Sequence, residues 1–332
     1  MQKGRIALLI LIAVIFFSSF GFMNYNYDPL SRYPYQDKES RELIKRYLND
    51  KEIEYIIEYS IAPSVFINFI KEDKFNVYHA KDYYDLSVLQ WRESPKNIVK
   101  MVEGSKNFMD IETLSNHLAH YSYDELSYWF KNQDPYNPNS KLVSNAGDMS
   151  AYLDDNYCVT NRVPFNLQEL NSEVPTLNKE PILVDVAIQE PLKNLCMALK
   201  EEAQSKKPCG GLLVESGYIS YQQQKSLYEA ASSVYKEEAS LYEFYPGHSE
   251  HQLGLAIDFT IDDIDKDDFA RTPQSFWLEN NAHKFGFIQT YSYTKSNLYN
   301  KKAQPYHYRF VGYELANYIY DNNTSLKETL NK

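Results

Sequence analysis

Hydrophobic and polar positions divide the chain into three stretches with different periodicity. Residues Ile6–Phe22 are almost continuously apolar and follow the cations Lys3 and Arg5. Between residues 42 and 129, apolar residues recur at three- and four-residue spacing, which predicts short amphipathic helices. Further along the chain, helical and extended patterns alternate, which predicts an α+β domain.

The apolar run near the N-terminus has the character of an export segment. It lies at the short end for a membrane-spanning helix and is a little long for a signal-peptide core. Bulky Phe20, Phe22 and Met23 leave no clear small-x-small cleavage site, which favours an uncleaved signal anchor at residues 1–23. A cleaved signal peptide is the alternative, and a buried core helix explains the preceding cations poorly. We therefore predict a single-pass cell-membrane protein with its C-terminal domain on the cell-wall side.

The helical pattern after this run predicts a small all-helical region at residues 24–133. Asn49 with Glu52, and Ser122 with Glu125, have the spacing of capping boxes. In a capping box each of the two side chains satisfies a backbone N–H of the first helical turn. The pattern indicates no function for this region.

Residues 134–155 are rich in Pro, Asn, Ser and Asp, a composition that predicts a linker. The α+β domain follows at residues 156–322, and residues 323–332 are predicted as a tail. Within the domain, the apolar residues 212–214 predict a short strand, and Ser220 stands where a helix cap is expected.

Charge and cysteine content narrow the possible functions. The net charge of -11 argues against nucleic-acid binding, which needs a basic surface. The cysteines are Cys158, Cys196 and Cys209, and none of their spacings suits a thiolate metal site. Export permits a disulfide. Cys196 and Cys209 are closest in sequence, but the pairing stays open and one thiol is left over.

The chemistry of the chain is concentrated in residues 246–259. That stretch contains S-x-H-x-x-G-x-A-x-D, formed by Ser249, His251, Gly254, Ala256 and Asp258. Glycine permits a tight bend, so His251 before it and Asp258 after it could meet at one metal ion. His307, which is surrounded by aromatic residues in the sequence, is the candidate for a third ligand. Imidazole and carboxylate are ordinary zinc ligands, and three of them leave the open position of a catalytic site.

Four stretches occur in a characteristic order along this part of the chain. They are Ser216-Gly-Tyr-Ile-Ser-Tyr-Gln-Gln-Gln224, the S-x-H-x-x-G-x-A-x-D stretch, Phe285-Gly-Phe-Ile288, and Gln304-Pro-Tyr-His307 followed by Tyr308-Arg-Phe-Val-Gly312. They resemble the motifs S-G-Y-R-S-x-x-x-Q, S-x-H-x-x-G-x-A-x-D, G-F-I and E-P-W-H with Y-R-Y-V-G of the VanY-like D-alanyl-D-alanine carboxypeptidases. The resemblance covers about residues 156–322 and implies a small antiparallel sheet flanked by helices.

The resemblance also implies an activity and a set of site residues. It implies that His251, Asp258 and His307 bind Zn²⁺ and that the substrate is a peptidoglycan stem peptide. The residues that would border the substrate are Ser216, Ser220, Gln224 and Ser249. In such enzymes zinc polarises the scissile carbonyl and activates water, while a glutamate carries the proton to the leaving amine.

Three positions depart from the pattern of the family. Gln304 stands where the catalytic glutamate is expected, and a carboxamide cannot act as a general base. Ile219 replaces the arginine of S-G-Y-R, and Thr290 stands where an arginine commonly follows G-F-I. Neither Ile nor Thr can bind a carboxylate in the bidentate manner of a guanidinium. The sequence therefore keeps the metal ligands and lacks the proton carrier.

These departures leave three hypotheses open. The first is a zinc D,D-carboxypeptidase with weak activity, and the second is an inactive member that keeps zinc and binds peptidoglycan or a partner protein. A purely structural domain is the third, which the intact ligand set argues against. Glu215 and Glu250 are the nearby carboxylates that could replace the missing base. Strand alternation does not reveal which side of the sheet Glu215 faces. Glu250 belongs to the S-E-H-Q sequence that is common in the family, which suits a structural role.

Overall fold

The computed structural model describes residues 2–25 and 28–330. The chain forms two compact units that divide between Ser115 and Asn116. The first residue of the predicted anchor and the last two residues of the predicted tail lie outside the described residues.

The first unit is built from helices, with a core of aliphatic and aromatic side chains. Asn49 caps α3 as predicted: its side chain accepts from the Glu52 N–H at 3.2 Å, and the Glu52 carboxylate accepts from the Asn49 N–H at 2.8 Å. Ile44, Ile56 and Phe66 are fully buried in this core. The helices that begin in this unit are α1 Gln2–Tyr25, α2 Lys38–Tyr47, α3 Asp50–Glu58, α4 Pro63–Phe66, α5 Ala80–Leu89, α6 Pro95–Ser105 and α7 Ile111–Leu118.

The sequence predicted a transmembrane helix at residues 1–23 and a single-pass location in the cell membrane. Both predictions are wrong, because no helix within the described residues is long and apolar enough to cross a membrane. A helix that crosses the hydrocarbon core needs about 20 predominantly apolar residues. The predicted fold class is therefore wrong in its transmembrane helix, and the predicted contact with the membrane is withdrawn with it. The predicted mixture of helices and a sheet is confirmed.

The second unit combines helices with short strands. Its helices are α8 Tyr123–Asn132, α9 Gln189–Glu202, α10 Tyr221–Tyr235, α11 Ala239–Tyr242, α12 Pro273–Asn281, α13 Tyr313–Asp321 and α14 Leu326–Leu330. Its strands are β1 Lys141–Leu142, β2 Tyr157–Cys158, β3 Leu167–Glu169, β4 Leu183–Asp185, β5 Leu212–Ser216, β6 Ala256–Ile261, β7 Phe287–Ile288 and β8 His307–Phe310. The capping boxes predicted at Ser122 and Ser220 are confirmed at the starts of α8 and α10.

A four-stranded sheet in the order β5-β6-β8-β7 forms the centre of this unit, and all its pairings are antiparallel. Ile257 and Phe259 of β6 are completely buried, as is Phe287 of β7. In β6 the alternate residue Asp258 lies opposite His307 of β8. Side chains that lie directly opposite in an antiparallel pair share one face of the sheet. The pairing of β6 with β8 therefore brings two of the predicted metal ligands together.

The Pro- and Asn-rich residues 134–155 lie inside the second unit. Strand β1 pairs in parallel with β2. Asn137 donates from Nδ2 to the Asp155 carbonyl at 2.7 Å, which closes the segment on itself. Asp134 is buried and lies 2.7 Å from the imidazole of His248, just before the S-x-H motif. The segment therefore packs against the loop that carries the first histidine.

Cys196 and Cys209 form a disulfide between α9 and the turn that precedes β5, and Cys158 is a buried free thiol. Replacing both bonded cysteines by Ala is expected to lower the free energy of unfolding by about 2–4 kcal/mol, because the open chain has more conformational entropy when unfolded. Urea titration with and without reductant measures this loss. Reductant should destabilise the wild type and leave the double variant unchanged, and equal sensitivity of both proteins would contradict a stabilising crosslink.

Candidate metal centre

The metal-ligand candidates are presented by the central sheet and by the turn that leads into it. His251 lies in a short 3₁₀ turn whose end is marked by Gly254 at a φ of 73°. A side chain is strained at this φ, and a Cβ there would also lie 2.9 Å from Leu167 Cδ2. The bend predicted at Gly254 is therefore confirmed. It returns the chain into β6, so that Asp258 lies beneath the histidine that precedes the bend.

Three side chains converge on one point in this arrangement. Asp258 Oδ1 lies 3.2 Å from His251 Nε2 and 3.0 Å from His307 Nδ1. The ligand atoms of the three residues all lie within 4.8 Å of one another, and all three side chains are buried. The two imidazole rings meet edge to face with their centroids 4.9 Å apart.

The outer nitrogen of each histidine has a partner that fixes which nitrogen is free for a metal. His251 Nδ1 lies 2.7 Å from the Gly217 carbonyl, and His307 Nε2 lies 3.0 Å from Glu250 Oε2. Donation of these N–H groups leaves His251 Nε2 and His307 Nδ1 facing Asp258, where each can offer a lone pair to a metal ion once it carries no proton. Zinc-bound histidines are oriented by such outer partners. The residues therefore fit the Zn²⁺ that the sequence predicted.

The charges of the centre are balanced within a buried network. Burial disfavours ionisation of Asp258, but the imidazoles of His251 and His307 hold the pKa of that carboxyl well below its usual range. Burial also opposes charging of His307, yet hydrogen bonds to Asp258 and Glu250 raise its pKa to about 9. Glu250 is buried as well, and His307 and Arg309 lower the pKa of its carboxyl. Without a metal, the proton on His307 and the guanidinium of Arg309 supply the positive charge of the network.

The raised pKa of His307 predicts that zinc binding releases a proton. The imidazolium is the main form of His307 below about pH 9 in the metal-free protein, whereas a ligand must be neutral. We expect about one proton per zinc from His307 at pH 7.5, with the release falling as the pH rises through 9. Calorimetric titration of zinc in buffers of different ionisation enthalpy measures the number of protons. A binding enthalpy that is independent of buffer would contradict this protonation state.

Residues 183–313 match the family model described as VanY, D-alanyl-D-alanine carboxypeptidase. The second unit contains a VanY-like domain. Among curated relatives, the putative carboxypeptidase YodJ of Bacillus subtilis is 35% identical over 136 residues, which is 39% of this chain and 48% of that protein. A D-alanyl-D-alanine carboxypeptidase of Enterococcus faecalis is 35% identical over 129 residues, covering 36% of this chain and 47% of that protein.

A solved structure extends the comparison to the fold. It is the LdcB LD-carboxypeptidase, whose structure is described as revealing the molecular basis of peptidoglycan recognition. It matches with a TM-score of 0.53 and 29% identity, over 60% of this chain and 94% of that one. The chain spans about half the length of the curated relatives it matches. Residues 183–313 are thus similar to a carboxypeptidase family, and the activity of this chain has to be inferred from its own residues.

The four residues predicted to border the substrate occupy different environments in the VanY-like domain. Ser216 of β5 lies opposite Asp258, and its hydroxyl has no hydrogen-bond partner among the described residues. Ser220 caps α10. Gln224 donates from Nε2 to Glu243 Oε1 at 2.7 Å, and Ser249 accepts from the His251 N–H at 3.3 Å. Among these four residues, Ser216 is the one whose hydroxyl is buried without a partner in the described part of the chain, whereas the other three side chains make hydrogen bonds within the domain.

Gln304 lies at the turn that opens β8. It is buried, its N–H donates to the Tyr291 carbonyl at 2.8 Å, and its own carbonyl accepts from the His307 N–H at 3.1 Å. These backbone bonds fix position 304 directly beside the last metal-ligand candidate. The structure therefore places a buried carboxamide at the position where the family resemblance predicts the catalytic glutamate.

The other two departures from the family pattern have different surroundings. The Ile219 N–H donates to the His251 carbonyl at 3.4 Å, which places the backbone of Ile219 beside that of His251. Thr290 donates from Oγ1 to Glu250 Oε2 at 2.8 Å. The threonine therefore belongs to the buried network behind His307, where it supports the carboxylate that orients the ring.

The sequence did not predict the contacts that several groups make at the centre. Arg309 is completely buried and donates from Nη2 to the Met149 and Ala151 carbonyls at 3.0 and 3.2 Å. Lys266 places Nζ 3.5 Å from Asp258 Oδ2. The Gly217 carbonyl was missed because backbone acceptors are not visible in a residue pattern. From its place in S-E-H-Q, Glu250 was predicted to have a structural role. In the structure its carboxylate contacts His307 directly.

A second group of potential ligands lies near the loop that precedes His251. Asp134, Cys158 and His248 bring ligand atoms within 4.8 Å of one another. His248 Nε2 lies 2.7 Å from the Asp134 carboxylate, and its Nδ1 lies 2.6 Å from the Asp154 carbonyl. Burial raises the pKa of the Cys158 thiol, which favours the protonated form that binds metals poorly. These hydrogen bonds explain why the three side chains lie together: they join residues 134–155 to the loop that carries His248.

Proposed function

We propose that the VanY-like domain is a zinc D,D-carboxypeptidase that acts on peptidoglycan stem peptides and works slowly. The observation that carries the proposal is the buried convergence of His251, Asp258 and His307, with each outer histidine nitrogen already satisfied. The unpartnered hydroxyl of Ser216 on the same face of the sheet supports a substrate site beside it.

The limits of the activity follow from the residues that surround this centre. A zinc ion in a site of this kind polarises a carbonyl and lowers the pKa of water. Ser216 offers a donor and an acceptor to the peptide backbone of a substrate. Gln304 can orient a group by hydrogen bonding, but it cannot accept a proton. Loss of general-base help typically costs about 10²–10⁴-fold in rate, so we expect slow turnover.

The second candidate is a non-catalytic member that binds stem peptides or a partner protein at the same metal centre. The observation that favours it is the buried glutamine at position 304 beside His307. This candidate requires metal and peptide binding without release of D-alanine.

One experiment separates the two candidates. The full chain is loaded with zinc, its metal content is measured, and D-alanine release is followed from a pentapeptide ending in D-Ala-D-Ala. A peptide ending in D-Ala-L-Ala and the variant His307→Ala serve as controls. Slow release that chelator abolishes supports the carboxypeptidase. Zinc and peptide binding without release supports the binding protein, and a chain that binds no zinc would exclude both.

A further inference from the structure

We propose that Glu215 is the catalytic carboxylate that accepts the proton in place of Gln304, and that Lys266 positions it. This inference rests on the proposed carboxypeptidase function and names the group responsible for its remaining activity. The sequence alone did not reveal which side of the sheet Glu215 faces, whereas its contact with Lys266 does.

Glu215 lies in an irregularity of the central sheet. Val214 of β5 pairs with Phe259 of β6, but the next pair joins Ser216 to Asp258. Glu215 is therefore an extra residue on β5, as in a β-bulge. Bulges interrupt strict alternation, re-aim a side chain and are common next to active sites. Strict alternation would place Glu215 on the face opposite to Ser216, and the bulge removes that constraint.

The contacts of Lys266 show where the Glu215 carboxylate points. Lys266 Nζ lies 2.9 Å from Glu215 Oε2 and 3.5 Å from Asp258 Oδ2. It also lies 4.5 Å from the centre of the Tyr306 ring. Asp258 thus directs Oδ1 to the two histidines and Oδ2 to this lysine. Because one ammonium group bridges the two carboxylates, Glu215 lies on the metal side of the sheet.

Glu215 is partly exposed, although its Oε2 atom beside Lys266 is buried, whereas the other nearby carboxylate is almost completely buried. The side chain of Glu215 is 27% exposed, and it lines an open depression of about 490 Å³ together with Lys266, Thr260 and Asp268. The side chain of Glu250 is 1% exposed, and its Oε2 is shared by His307 and Thr290. A general base must reach a water molecule that attacks the substrate. That requirement excludes Glu250 and suits Glu215.

The proton transfer that we assign to Glu215 is balanced. The Glu215 carboxylate takes one proton from the attacking water as its oxygen bonds to the carbonyl carbon of the scissile peptide. It returns that proton to the amide nitrogen as the C–N bond breaks and free D-alanine leaves. Lys266 does not exchange a proton in this scheme. It holds the carboxylate beside Asp258 and balances the negative charge of the pair.

The test is the variant Glu215→Gln in the zinc-loaded full chain. We expect kcat for D-alanine release to fall by about 100-fold or more, with little change in KM, zinc content or the Kd of the pentapeptide. Asp268→Asn is the matched control, because Asp268 lines the same depression but pairs with Arg271 at 2.8 Å. Lys266→Gln should lower kcat, and Lys266→Arg should restore part of it.

The outcomes distinguish the inference from the function on which it rests. If kcat of Glu215→Gln stays within about threefold of the wild-type value, the role of Glu215 is overturned and the carboxypeptidase function stands. A general base would cost far more when it is lost. A zinc-loaded wild type that binds the pentapeptide and releases no D-alanine overturns both. Loss of zinc from Glu215→Gln would show that the residue supports the metal centre instead, and it too would overturn the proposal.

Discussion

Replacing Gln304 by Glu is expected to raise kcat for D-alanine release by about 100-fold or more, which is the usual contribution of a well-placed general base. The backbone bonds of position 304 to Tyr291 and His307 do not depend on its side chain, so the new carboxylate should occupy the place of the old carboxamide. Zinc content and the KM for the pentapeptide should change little. Steady-state release of D-alanine by wild type and variant measures the effect.

The exposed Gln222 on α10 provides the control, because Gln222→Glu makes the same chemical change away from the centre. It should leave kcat at the wild-type value. A Gln304→Glu variant that binds zinc and peptide but turns over no faster than wild type would show that position 304 no longer serves proton transfer. Introducing Glu215→Gln into the Gln304→Glu variant also tests Glu215. Its loss should lower kcat less there than in wild type, because the carboxylate introduced by Gln304→Glu carries the proton. Non-additive effects of this kind are expected for groups that serve one step.

The sequence contained enough information to find the metal-ligand candidates. The spacing around the glycine bend places His251 and Asp258 on either side of one turn, and both positions are local properties of the chain. His307 lies 49 residues beyond Asp258, and only its resemblance to a family motif connected the two. The structure brings the three together through the pairing of β6 with β8.

Features that depend on tertiary packing could not be predicted in this way. Alternation along β5 gives no sign of the bulge that turns Glu215 toward Lys266, because a bulge is a property of two paired strands. The turn-rich composition around Asp134 suggested a linker and could not reveal its bond to His248, 114 residues away. The predicted membrane anchor was wrong for another reason: the apolar run was already at the short end for a span, and no helix in the described part of the chain is long and apolar enough to cross a membrane.

Glu250→Ala is expected to be the most destabilising single substitution at the centre. The buried Glu250 carboxylate accepts from Thr290 and His307. Its negative charge compensates the positive charge of Arg309, which is also completely buried. Among the described residues, no group bonds Nε or Nη1 of Arg309. Removing one member of a buried charge pair costs about 3–5 kcal/mol, because the other charge stays buried without compensation. Urea or thermal unfolding of the metal-free protein measures the loss.

Glu250→Gln separates the two roles of this carboxylate. The amide oxygen can still accept from His307 or from Thr290, whereas the charge that faces Arg309 is gone. We therefore expect an intermediate loss of stability. Without the carboxylate, His307 Nε2 also loses the acceptor that fixes its ring, so zinc affinity should fall by about 10–100-fold in either variant. Wild-type stability and zinc affinity in Glu250→Ala would mean that the network around Arg309 repacks without it. A loss of zinc affinity alone would limit Glu250 to orienting His307, and a loss of both would show that one buried carboxylate stabilises the fold and prepares the metal centre.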